Sequence, residues 1–167
     1  MKLRTALPVV WAYMALTTTT SAAPTHLVGQ PETINGIAIR TGAERLSYIS
    51  LRYFGVRPAY DVCMKQSSGV APKQQDCANT ELTYQDDRLN RAYQSLLTVL
   101  DDLDRRAAVQ AQRAWLAFRD KDCAARAGRF GSDAGPATES TCRMESTAYR
   151  AQQLEDWRNS VRDQSSD

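Results

Sequence analysis

The sequence predicts an all-α fold: a disulfide-stapled three-helix antiparallel bundle with an additional N-terminal helical segment. Three observations lead there. Apolar residues recur at helical spacing in three stretches after residue 78, the connections between these stretches are short, and Cys63, Cys77, Cys123 and Cys142 are spread through the same region. With 167 residues and 43% apolar content, the chain suits one domain with a core.

The first segment is not core. Met1-Lys2-Leu3-Arg4 is a basic start, Thr5 to Leu16 is mostly apolar, and Thr20-Ser21-Ala22 supplies small residues for cleavage after Ala22 or Ala23. That order is a secretory signal peptide over residues 1–22. The apolar run is about a dozen residues, short of the ~20 that a spanning helix needs, so a membrane span is not expected. The expected location is periplasmic or secreted.

Export decides how the cysteines read. Four thiols in an oxidising compartment, with no C-x-x-C pair, point to two disulfides. Zinc is the poorer reading, because His26 is the only histidine and ligand spacing is absent. Three connectivities are possible; Cys63–Cys77 with Cys123–Cys142 is favoured because both close short loops.

Residues 23–62 form an extension with one helix. Residues 24–40 show little periodicity, with Ile34 to Ile39 at best a short extended piece. Thr41-x-x-Glu44 fits a capping box, Leu46, Ile49 and Tyr53 share a face, and Gly55 with Pro58 ends that helix. Residues 64–76 read as a surface loop.

The bundle occupies residues 63–163. Its first long helix should begin near Asn79 or Thr80 and carry a seam of Leu82, Leu89, Tyr93, Leu96, Leu100 and Leu103. Asp104 is placed to cap the central helix, which runs from about Arg105 to Ala127 with Ala111, Trp115 and Phe118 on one face and Gly128 at C′. The whole chain looks organised around this helix. Gly128 to Pro136 reads as a flexible loop, and Thr138 or Ser140 as the cap of a last helix carrying Tyr149, Leu154, Trp157 and Val161. In the hairpin of the first two long helices, Asp87 is level with residue 118, within reach of Arg119.

The pieces Asp61-Val62-Cys63, Cys77, Asp87-x-Leu89-Asn90-x-x-Tyr93-x-x-Leu96, Gln112-Arg113-x-Trp115-x-x-Phe118-Arg119-Asp120-x-x-Cys123, and Cys142 with Thr147, Arg150 and Leu154, resemble the LprI-type lysozyme-inhibitor family. The resemblance covers Cys63 to Leu154. It implies a small exported helical domain, with a protein partner such as lysozyme or another cell-wall hydrolase. On this reading Asp87, Leu89, Asn90, Tyr93, Gln112, Arg113, Trp115, Arg119 and Asp120 are structural. Trp115 belongs to the core, and Arg119 stacks on its indole while pairing with Asp87.

Blocking lysozyme means occupying a cleft that holds two acidic groups. Arg129, Phe130 and Ser132, on a Gly-rich tip between Cys123 and Cys142, are the candidate partner contacts; the plain alternative is an ordinary interhelical connection. The charge balance excludes other classes. Losing Lys2 and Arg4 with the leader leaves 19 basic against 19 acidic residues, and Cys77 onward carries 13 against 15. No clustered basic excess invites nucleic acid, and no acidic field steers a basic lysozyme. Catalysis is not expected: His26 sits beside the cleavage site, no phosphate loop occurs, and Asp86 and Asp87 point about 100° apart on a helix. No cofactor or metal is called for. The function expected is a cell-envelope binding protein that occludes a peptidoglycan-cleaving enzyme. The alternative is an immunity or adaptor protein for a toxin or envelope complex, and an uncharacterised hydrolase ranks last.

Overall fold

The structure, a computed structural model, describes the backbone of residues 32–34 and 37–39 and then residues 50–165. The leader, His26, the capping box at Thr41 and Glu44, and Leu46 and Ile49 lie outside the described residues. Strand β1 (Glu32–Ile34) pairs antiparallel with β2 (Ile37–Ile39), Ile34 opposite Ile37. Asn35-Gly36 between them is the dipeptide that favours a two-residue hairpin.

Residues 50–53 are helical, and the chain turns at Gly55 with φ +77. A side chain at Gly55 would be strained by that φ and would collide with the Arg88 guanidinium. Pro58 does more than end the preceding helix: it opens α1 (Pro58–Gln66), where a missing N–H costs nothing. The expected surface loop at 64–76 is largely helical. Helix α2 (Ala71–Leu97) starts two turns before Asn79, with Pro72 in its first turn. The Cys63–Cys77 bond ties α1 to α2.

Helix α3 (Asp102–Ala127) is capped by Asp101, which accepts from the Asp104 N–H at 2.8 Å. Asp104 is therefore the third residue of the first turn and not the cap; with Asp102 it places negative charge against the helix dipole. Gly128 stays right-handed at φ −57. A short 3₁₀ turn, Gly128–Phe130, leads directly into α4 (Gly131–Gln164). The predicted flexible loop is thus a helical corner, and the last helix begins about two turns before Thr138. Pro136 lies inside α4, where it removes only the bond to the carbonyl of the exposed Ser132. Cys123–Cys142 clamps this corner, and a Cβ on Gly135 would sit 3.2 Å from the Ala127 carbonyl oxygen.

The fold is all-α with two disulfides, and α4 is its hub. Cross-helix contacts give the directions. Gln112 meets Arg150, Arg119 meets Thr147 and Cys123 meets Cys142, so α3 and α4 are antiparallel. Arg88 meets Glu155 and Ser95 meets Arg158, so α2 and α4 run parallel. One core cluster joins Leu89, Ala92, Leu96, Leu100, Ala108, Ala151 and Leu154. A second joins Val56, Tyr60, Cys77, Ala78, Met144 and Ala148.

The seam is corrected in detail. Leu89, Leu96 and Leu100 are buried and Tyr93 and Leu82 partly so, whereas Leu103 is 69% exposed because α3 has already begun there. Along α4, Leu154 is buried, but Tyr149 and Trp157 are exposed.

Candidate partner-binding site

The corner between α3 and α4 carries Arg129, Phe130 and Ser132, all exposed. Phe130 shows 56% of its surface. Ser132 donates to Asp133 at 3.2 Å. Beside the corner lies a groove of about 540 Å³ between the start of α2, the end of α3 and the start of α4. Gln75, Asn79 and Leu82 form one wall and Ser132, Glu139 and Arg143 the other. Arg143 pairs with Asp120 at 3.1 Å and faces Glu139 at 3.8 Å, so its charge is met by carboxylates. Because the disulfide and the close approach at Gly135 fix the corner, it offers a rigid projection in place of a flexible finger.

The motif residues of α3 hold the bundle together. Gln112 accepts from Arg150 at 3.1 Å. Arg119, buried, donates to Thr147 at 2.8 Å and to Asp120 at 3.1 Å. Trp115 is partly buried against the core, with the Arg119 and Arg150 guanidinium carbons 5.3 and 5.9 Å from its ring. Burial holds Arg150 below its ordinary pKa.

Two expectations fail here. Arg119 pairs with Asp86 at 3.3 Å, while Asp87 is exposed: one residue along a helix is 100° of rotation, and the level was right but the direction wrong. Ala111 and Phe118, expected beside Trp115, face outward, Phe118 at 63% exposure. The buried face of α3 is instead Ala108, Gln112, Arg119, Cys123 and Ala127. Leu89 is core and Tyr93 packs on it; Asn90 and Arg113 are exposed.

The sequence reading missed a buried polar cluster on α2. Glu81, 1% exposed, accepts from the Arg57 N–H and Nε at 2.9 Å each, and from Gln85 at 2.8 Å. Gln85 also donates to the Gly55 carbonyl. Arg88 grips Glu155 at 2.9 and 2.7 Å, donates to Gln152, and reaches the Phe54 carbonyl. The signal was available: Glu81, Gln85 and Arg88 recur at i, i+4, i+7 in register with Leu89, Ala92 and Leu96. Asp122, Cys123 and Cys142 approach one another closely enough to suggest a metal, but the two sulfurs are bonded to each other.

A profile described as lysozyme inhibitor LprI matches residues 63–154. The chain belongs to the LprI family. No curated protein and no solved structure matches it. Both disulfides of this LprI protein lie within or at the edge of the matched span, as do Gln112, Trp115, Arg119, Thr147 and Arg150. The family's description names a lysozyme inhibitor, which suggests a protein partner such as lysozyme. Among the described residues no helix is long and apolar enough to cross a membrane.

Proposed function

We propose that this LprI protein is an exported cell-envelope protein that inhibits lysozyme or another peptidoglycan-cleaving enzyme by seating the α3–α4 corner in its cleft. It acts by binding and performs no chemistry. The observation that carries the reading is the exposed Arg129-Phe130 pair on a disulfide-clamped corner within an inhibitor-family span. Arg129 supplies a cation for a cleft lined by two carboxylates, and Phe130 supplies apolar area where a saccharide would otherwise sit. A rigid corner loses little conformational entropy on docking. Two disulfides fit an oxidising compartment, in keeping with residues 1–22 as a leader.

The test is a titration of oxidised residues 23–167 into lysozyme acting on a cell-wall substrate. Dose-dependent inhibition that is lost in the Arg129→Ala, Phe130→Ala double variant is the expected result. Full lysozyme activity at excess protein rejects the reading.

A further inference from the structure

A second groove, of about 540 Å³, lies between α2 and α4 on the half of the bundle away from the α3–α4 corner. Its volume falls within the roughly 300–1,000 Å³ of small-molecule sites. Arg88 in its wall is neutralised by Glu155, and its donors are engaged. Arg91 and Arg158 are different. Among the described residues neither makes an ion pair with a carboxylate, Asp87 one turn before Arg91 included.

Among the described residues Arg158 donates only to neutral oxygens, that of Asn159 at 2.9 and 3.3 Å and that of Ser95 at 3.2 Å. Arg91 lines the same groove one turn before Ser95. Two uncompensated guanidiniums from two helices thus border one concavity. Guanidiniums match carboxylate and phosphate oxygens in pairs.

The rest of the lining suits a sugar. Tyr84 lines the groove at 36% exposure, its ring braced by Arg57 at 4.0 Å. An aromatic face, the Ser95 hydroxyl and the Asn159 amide offer stacking and hydrogen bonds to a hydroxylated ring. We propose that this groove binds an acidic saccharide, its carboxylate or phosphate held between Arg91 and Arg158.

The experiment is a titration of the isotope-labelled oxidised mature chain, followed by amide NMR shifts, with N-acetylmuramic acid, N-acetylglucosamine 6-phosphate and neutral N-acetylglucosamine as separate arms. Saturable shifts at Tyr84, Ser95 and Asn159 with an acid, and at least about tenfold weaker binding of the neutral sugar, are expected. Which acid binds tells carboxylate from phosphate. Arg91→Ala, Arg158→Ala should weaken the acid by roughly a hundredfold, whereas Arg106→Ala, Arg113→Ala on α3 should bind as the parent does. If the alanine pair unfolds, Arg91→Lys, Arg158→Lys keeps the charge and loses the paired donors, and should bind several-fold more weakly. Equal binding of acid and neutral sugar, no saturation by either acid at millimolar concentration, or unchanged binding in the variants overturns the proposal. Arg129→Ala, Phe130→Ala should leave saccharide binding intact, which separates this site from the inhibitory corner.

Discussion

Helices α2 and α3 both pack on α4, yet they do so by different physics. The α2 interface is aliphatic through its second half, with Leu89, Ala92 and Leu96 against Ala151 and Leu154. The buried face of α3 offers alanines, a cysteine, Gln112 and Arg119, with Trp115 partly buried beside them, and its grip on α4 leans on a disulfide and directed hydrogen bonds. Apart from Trp115, its larger apolar residues, Leu103, Leu116 and Phe118, face outward. A helix attached by polar ties leaves its hydrophobic pattern free to point elsewhere, and periodicity alone then selects the wrong face.

The largest expected effect is on the α2 side. Leu96→Ala, at a fully buried site, should lower unfolding free energy by about 3 kcal/mol in urea titrations. A loss under 1 kcal/mol would mean that the α2–α4 core is not the main support. On the α3 side, Cys123→Ala with Cys142→Ala should cost on the order of 3 kcal/mol by the same measurement, through release of a loop closed by residues 19 apart.

Arg119→Ala leaves the Thr147 hydroxyl buried without its partner and should cost about 2 kcal/mol; Asp86 and Asp120 are half exposed, so their share is small. Asp86→Asn should lower the thermal midpoint slightly and Asp87→Asn should leave it unchanged. Asp61 gives a smaller, pH-dependent effect. Burial raises its pKa although Arg52 opposes the rise, so its folded value lies above its unfolded one. Its contribution to stability is then full below the unfolded pKa and lost as pH rises through the folded pKa. The stability of the parent relative to Asp61→Asn should fall between acid and neutral pH, and a rise would contradict the assigned shift. Smallest of all, Phe118→Ala should stay within about 0.5 kcal/mol, in contrast to Leu96→Ala.

These differences show what was legible in the residues. The all-α class, the two disulfide pairs and the core role of Leu89, Leu96 and Leu154 follow from spacing, because aliphatic burial is periodic and short loops close easily. The start of α4 was not legible. Gly128, Gly131, Gly135 and Pro136 all have poor helix propensity, and only tertiary contact, the disulfide and the close packing at Gly135, overrides them. The Arg119 partner was missed by one residue, because levelling two helices fixes height but not azimuth. Arg129, Phe130 and Ser132, the candidate partner contacts, are exposed; one wall of the groove beside them comes from α2, far away in sequence.

Glu81 sets a practical boundary. The family span begins at Cys63, but the carboxylate of Glu81 accepts two bonds from Arg57, and Val56 and Tyr60 pack in one cluster with Cys77 and Met144. A fragment cut at the family edge would take both Arg57 donors from Glu81 and uncover the apolar cluster beside the first disulfide. Whoever expresses this protein in pieces should therefore start upstream of residue 50, since the segment that lies outside the family is part of what the family portion folds against.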